Sequence, residues 1–204
     1  MKVLNLYAGI GGNRKLWQDV SVTAVEMNPK IATIYQDFFP KDKVVVGDAH
    51  AYLLEHFGEF DFIWSSPPCP SHSQYRYYIG FKSKGFNALY PDMTLYEEII
   101  LLKYHSRARW IIENTRPYYK PLISPTVILQ RHYVWSNFSI AAKDFDSKKI
   151  SIRNAISDYN YLGFDLSKYR IENKRQILRN CVDSELGLHI LNESKRDIQP
   201  ELFR

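Results

Sequence analysis

The sequence is poor in cysteine, in long apolar runs and in repeats, and each shortage removes a class of explanation. Only two cysteines, Cys69 and Cys181, occur in 204 residues. That is too few for a disulfide framework or a thiolate zinc site, so Cys69 is either a small buried hydrophobe or a nucleophile. No uncharged stretch approaches the roughly 18 residues of a membrane span, and the start MKVLNLYAG lacks the build of a secretory leader. The expectation is a protein of the reducing cytoplasm with no membrane partner. No repeat, low-complexity tract or Gly/Ser linker divides the chain, and its length suits one domain with a proper core.

Charge is in modest excess, +5 overall, and its placement says more than its sum. Residues 1–69 carry 6 basic against 8 acidic side chains, residues 70–138 carry 9 against 4, and residues 139–204 carry 12 against 10. The excess therefore lies just downstream of Cys69, interleaved with tyrosine in "QYRYYIGFKSKGF". Cations beside aromatics suit a phosphate backbone with exposed bases, and an ordinary solvated loop is the alternative.

What is present is an alternation of short β-branched runs with helical periods. KVLNLY (2–7) precedes glycines, LWQDV (16–20) suits a helix, and VTAVEM (22–27) is a second strand. A helix near 29–38, a strand at 43–46, a helix near 49–56 and a strand at 60–65 follow. LYEEIILLKYHSRA then reads as helix, WIIEN and HYVWSNF as strands, and a late helix falls near 174–192. Such alternation predicts an α/β fold of Rossmann-like type, a mostly parallel sheet with helices on both faces.

In such sheets ligands sit beyond the carboxyl ends of the strands, and the residues there form a series. After the first strand comes "YAGIGGN", with Gly9, Gly11 and Gly12 allowing close backbone approach. Glu26 follows the second strand, where an acid can bond ribose hydroxyls, and Asp48 follows the third, where a carboxylate can accept from an adenine amino group. Each acid taken singly is equally a helix N-cap. The dinucleotide fingerprint lacks its third glycine, with Asn13, Arg14 and Lys15 following "GIGG", and no Lys-Ser pair makes a phosphate loop. A nucleoside cofactor without a pyrophosphate fits better, and S-adenosylmethionine is the common one.

The fourth strand ends in "SSPPCPSHSQ", where a proline-braced turn presents Cys69 rigidly, as a nucleophile requires. The fifth ends in "WIIENTRP", bringing Glu113 and Asn114 to the same edge. Taken in order, "NLYAGIGG", "VEMNP", "VVGDAH", "SSPPCPSHS", "DMTLYEEI" and "IIENT" resemble the DNA cytosine-5 methyltransferase family over residues 4 to about 115. The resemblance implies S-adenosylmethionine as cofactor, double-stranded DNA as partner, and no metal.

It also implies a chemistry. Carbon 5 of cytosine is a weak nucleophile until a thiolate, here Cys69, adds to carbon 6; the carbanion formed at carbon 5 then takes the methyl group. Glu113 would hydrogen-bond or protonate ring nitrogen 3, with a pKa raised by a dry pocket. Tyr7 would stack on adenine, Glu26 would hold the ribose and Asp48 the adenine amino group. Ala8, Gly9, Gly11, Gly12, Met27, Ala49 and Leu95 would line the cofactor site, and Pro68 would shape the turn. Asn114 would fix the Glu113 loop. The family flips its target base from the duplex under the loop after its cysteine, which assigns Ser71, Ser73, Gln74, Arg76, Lys82 and Lys84 to nucleic acid.

Beyond residue 115 the pattern departs from the family's. "LQRHYVWSNF" resembles the strand that carries paired arginines, but Leu129 replaces the first; Arg131 would bind the base carbonyl, or is a plain strand-edge arginine. "RQILRNCVDSELGLHIL" resembles the last motif, whose asparagine, here Asn180, helps close the cofactor site, while Cys181 packs. The division expected is a catalytic core at 1–138, a reduced target-recognition segment at 139–173, and a C-terminal helix within 174–204 returning to the core. So short a recognition segment leaves three readings: a basic stretch with Lys148, Lys149, Arg153 and Lys168 giving a short target; a partner or second copy supplying the surface; or loose specificity. The first is preferred. RNA as substrate and a catalytically idle DNA-binding relative are the rival functions, and a restriction system, a phage or a regulatory circuit remains open as the setting.

Overall fold

The runs of β-branched and aromatic residues form a seven-stranded sheet in the computed structural model, which describes residues 1–78, 89–143, 145 and 163–196. Strands β1 (Lys2–Leu6), β2 (Ser21–Glu26), β3 (Lys43–Val46), β4 (Phe62–Ser65) and β5 (Arg109–Thr115) pair in parallel. Strands β6 (Val127–Leu129) and β7 (His132–Ser136) form a hairpin that joins β5 antiparallel. The order is β3-β2-β1-β4-β5-β7-β6, so the chain reverses direction across the sheet between β1 and β4. That reversal opens a crevice at the strand ends.

Both sheet faces are buried, which explains the near-continuous apolar runs. Along β4, Phe62 and Trp64 join one core and Ile63 the opposite one, the two-residue period of a strand. Helices α2 (Ala49–His56) and α3 (Thr94–His105) cover the Ile63 face with Leu53, Leu95, Ile99 and Leu102. The other face is covered by α5 (Ser184–Ser194), whose Leu186, Ile190 and Leu191 pack with Val3, Phe62 and Trp64. Full burial of a side chain such as Ile63 or Phe62 contributes about 1.5–3 kcal/mol. Helix α1 (Pro29–Phe38) and the short α4 (Lys174–Asn180) share a further core with Ile10, Phe164 and Leu166. The last motif is thereby held against the glycine turn.

Polar side chains set the helix starts. Asn28 accepts from Lys30 N at 2.9 Å with Pro29 opening α1, Asp48 accepts from Ala51 N at 2.8 Å, and Asp183 accepts from Glu185 N at 2.8 Å. The sheet and the α1, α2 and α3 helices agree with the sequence reading to within a few residues.

Three elements differ from that reading. LWQDV is no helix: residues 12–16 form turns, Asp19 adopts φ +56°, and Trp17 is withdrawn into the core against Phe62 and Trp64. Arg14 is fastened to Asp42 at 2.7 and 3.0 Å and to the Trp17 carbonyl at 2.7 Å, so tertiary contacts override local propensity. Strand β6 was not expected, because the two-residue connection Gln130–Arg131 lacks the usual Asn-Gly signature although Gln130 takes φ +53°. The late helix is two helices, broken where Cys181 turns extended and Asp183 caps a new start. No helix among the described residues is long and apolar enough to cross a membrane.

Candidate active site

The crevice is built from the residues that follow each parallel strand. After β1, Tyr7 takes φ +54° and donates its hydroxyl to Glu98 at 2.7 Å; burial and the Glu98 carboxylate push its phenol far above the ordinary value. Ala8 N donates to Val25 O at 3.0 Å, laying the glycine turn across the end of β2. Gly9, at φ +55°, faces open space where a side chain would stand. Gly11 and Gly12 answer to the protein instead, since a Cβ at Gly11 would run into the Phe39 ring and one at Gly12 would lie 2.6 Å from Cys181 Cβ. Of the three, Gly9 alone has open space where a Cβ would stand.

Glu26 closes this corner. Its Oε2 accepts from Gly9 N at 3.0 Å and its Oε1 from Asn28 N at 2.9 Å, so it orders the turn and is no helix cap itself. The backbone N of Gly47 donates to Glu26 O at 3.2 Å, drawing the β3 end and Asp48 alongside. Asp48 does cap α2. Met27 is exposed, Ala49 and Leu95 are buried, and Asn180, at the end of α4, accepts from Gln176 at 2.7 Å. An open Gly9 beside a carboxylate-bearing strand end fits the adenosyl portion of S-adenosylmethionine.

The β4 end carries the proline turn. Pro67 is buried, Pro68 exposed and Cys69 half-buried, with the Cys69 carbonyl accepting from His72 N at 3.0 Å and Ser73 N at 2.9 Å. Burial and the nearby Glu113 charge push the Cys69 thiol up, opposed by its own backbone, Arg131 and Arg76. At the end of β5, Asn114 Nδ2 donates to the Pro67 carbonyl at 2.9 Å, tying the two strand ends together. Asn114 thus fixes the cysteine turn as much as the Glu113 strand.

Glu113 departs from its expected state. Burial pushes the carboxyl up, yet the hydrogen bonds from His132 and Ser66 and the Arg131 charge together hold it below the usual carboxylate range. The raised value expected from a dry pocket is therefore corrected: the pocket contains its own donors. His132 Nδ1 lies 2.7 Å from Glu113 Oε2, both side chains buried. Arg131 reaches His132 Nε2 at 3.3 Å and the Arg179 carbonyl at 3.0 Å.

Two site residues escaped sequence reasoning. Glu98, fully buried, accepts from Tyr7 and, at 2.5 Å, from Ser65 at the end of β4, with His50 Nδ1 at 3.3 Å; burial raises its carboxyl despite those bonds. The signal was a charged residue on the apolar period of α3. His132 stands beside Arg131 on a strand paired with Glu113's, a pairing that the sequence alone does not report.

On the outer side, residues 71–78 dock on 116–119: Gln74 N donates to Arg116 O at 2.9 Å, Tyr118 N to His72 O at 3.0 Å, and the Tyr77 and Tyr118 rings stack at 4.4 Å. Ser71 accepts from Asp92 N at 3.1 Å, Ser73 bridges Pro117, and Arg76 is exposed beside the cysteine turn. Lys82, Lys84, Lys148, Lys149 and Arg153 lie outside the described residues, while Lys168 pairs with Asp37 at 3.7 Å. Among the described residues no group of three or more His, Cys, Asp or Glu is placed to hold a metal ion.

Comparison with known proteins follows the same lines. The family described as C-5 cytosine-specific DNA methylase matches residues 1–116. Among solved structures the chain is similar to DNMT2 of Spodoptera frugiperda, at 22% identity over 56% of this chain and 35% of that one, with a TM-score of 0.37. It is similar to the methyltransferase EhMeth of Entamoeba histolytica, at 18% over 56% and 38%, TM-score 0.37. A TehB-like SAM-dependent methyltransferase of Corynebacterium glutamicum gives 18% over 59% and 58%, TM-score 0.38. No curated protein matches significantly. With the Pro-Pro-Cys turn, the Glu113-Asn114 strand end and the glycine turn all inside the matched residues, the chain belongs to the C-5 cytosine-specific DNA methylase family.

Proposed function

We propose that the protein methylates carbon 5 of cytosine in double-stranded DNA through a covalent adduct on Cys69. One observation carries the reading: the hydrogen bond from Asn114 to Pro67 locks the turn bearing the thiol to the strand end bearing Glu113. A nucleophile at carbon 6 and a carboxyl group at ring nitrogen 3, on opposite edges of one flat base, is what addition across its carbon 5–carbon 6 double bond needs.

The Cys69 thiol gives its proton to solvent and its sulfur bonds to carbon 6; the double-bond electron pair moves to carbon 5, and ring nitrogen 3 takes a proton relayed from solvent through the Glu113 carboxyl. S-adenosylmethionine, when bound, supplies an electrophilic methyl to that carbon. Loss of the carbon 5 proton then returns the electron pair, and the sulfur leaves carbon 6 with the ring restored. Gly9, Glu26 and Asp48 would hold the adenosyl group, with Tyr7 and Leu95 beneath it. Arg76 and the docked tyrosines beside the turn support a nucleic-acid surface, and the favoured target reader is the short segment 139–173, alone or with a second copy.

The test uses a duplex whose cytosines carry fluorine at carbon 5, with tritiated S-adenosylmethionine. The fluorine cannot leave as a proton, so the adduct is trapped. A labelled band that survives denaturation and disappears in Cys69→Ser, with cofactor binding kept, supports the reading. A band on RNA but not on DNA moves the substrate to RNA, and no band on either with cofactor bound overturns the covalent route.

A further inference from the structure

We propose that His132 is a positioning residue for Glu113: a neutral imidazole, locked in one tautomer by Arg131, that grips one carboxylate oxygen and leaves the other free for the base. The proposal rests on the cytosine reading and adds to it a residue that the family resemblance did not assign.

The placement comes from the sheet. Glu113 on β5 opposes Val134 on β7, and His132 lies two residues before Val134, on the same face and within diagonal reach of Glu113. Nδ1 meets Oε2 at 2.7 Å with both side chains about nine-tenths buried, so the contact is sheltered from solvent. Arg131 decides the tautomer. A guanidinium has donors and no lone pair, so the His132 Nε2 it faces at 3.3 Å must accept. The ring proton is therefore on Nδ1, where it donates to Glu113, and a second ring proton would set two donors face to face. Arg131 is itself anchored by the Arg179 carbonyl at 3.0 Å, which ties this relay to α4.

The consequence is a rigid carboxylate of defined charge. The groups facing Glu113 are Ser66 and Cys69 from the turn after β4 and His132 and Arg131 from the β6–β7 hairpin. With Oε2 held by His132, Oε1 is the oxygen left to meet ring nitrogen 3, and because the carboxylate starts without a proton, the one it delivers there is taken up from water as the base binds. Removing the His132 donor loosens the carboxylate and lets its proton affinity rise.

Two measurements test this. Nitrogen-15 NMR of histidine-labelled free protein should show His132 neutral with the proton on Nδ1, whatever the substrate proves to be; an imidazolium at neutral pH or the opposite tautomer overturns the proposal. The second is methyl transfer by His132→Leu, which can neither donate nor accept, and His132→Gln, which can do both. We expect His132→Leu to lose about 100-fold in kcat, with the cofactor Kd unchanged and the alkaline limb of the rate profile moved to higher pH. His132→Gln should recover at least about tenfold of that loss. In a Glu113→Gln background His132→Leu should cost little more. A full loss there, or a wild-type rate and pH profile in His132→Leu, overturns the proposal. A wild-type protein that forms no adduct, with the NMR result intact, fails the cytosine reading instead.

Discussion

The Asn114 side chain reaches across from β5 to the carbonyl of Pro67, 2.9 Å away, and its own Oδ1 accepts from Thr115 N at 2.9 Å. Both ends of a buried amide are thus used, one to shape its own strand end and one to hold the neighbouring turn. Neutral groups do here what a salt bridge would do less directionally.

Asn114→Ala should therefore damage two properties together. Leaving the Pro67 carbonyl unpartnered costs about 1–3 kcal/mol of stability. The freed turn should slow adduct formation about 10-fold or more, while the cofactor, bound around Gly9 and Glu26, keeps its affinity. Thermal unfolding, trapping with the fluorinated duplex and calorimetry of cofactor binding give the three readouts. Unchanged trapping would show that the turn holds itself.

Cysteine alkylation should reveal the electrostatics of the site without any substrate. Burial and the Glu113 charge both disfavour the Cys69 thiolate, so iodoacetamide should react slowly at neutral pH and faster as pH rises above the ordinary thiol value. Glu113→Gln removes the opposing charge. The thiol pKa then falls and alkylation at neutral pH accelerates by severalfold. Cys181, partly buried and with its thiol pushed up to about 12, serves as the internal control and should stay unlabelled in both proteins at neutral pH. Mass spectrometry of the two cysteine peptides reads the outcome, and equal Cys69 rates in the two proteins contradict the coupling.

Much of this arrangement was legible in the sequence because strand-end residues are short-range signals. A strand, a turn and a helix cap can each be read from a few neighbours, which is why Glu26, Asp48, Cys69 and Glu113 stand at or just beyond strand ends as expected. The misses share another cause. LWQDV has helical period, but Arg14 binds Asp42, 28 residues away, and the helix never forms. Glu98 is drawn into the site by contacts far along the chain, since the fold places it under Tyr7 and Ser65. The ionised state of Glu113 depends on His132, whose register across a hairpin no local pattern reports.

Two glycines three residues apart should respond differently to the same substitution. Gly12→Ala drives a Cβ to within 2.6 Å of both Cys181 Cβ and the Val182 carbonyl, so the α4–α5 junction must move and stability should fall by about 1–3 kcal/mol. Gly9→Ala meets no atom within 4 Å and bears only the strain of φ +55°, about 1–2 kcal/mol. Its Cβ stands instead in the space offered to the cofactor. Calorimetry should find cofactor affinity lost more steeply in Gly9→Ala, once each variant is compared at a temperature where it is folded. Equal affinity losses would mean that Gly9 does not face the ligand.

Glu98 supplies a pH test of the second network. Burial raises its carboxyl, so the folded chain binds that proton more tightly than the unfolded one. Its support for folding is then complete below the unfolded value of about 4.3 and is lost as pH rises through the higher folded value. Glu98→Gln keeps an acceptor for Tyr7 or Ser65 but cannot titrate. The difference in Tm between Glu98→Gln and the wild type should therefore shift in favour of the variant as pH rises from about 4 towards 8. A difference that stays constant over that range would place the Glu98 carboxyl at an ordinary value, and Tyr7 and Ser65 would then be stabilising the anion enough to cancel the cost of burying it.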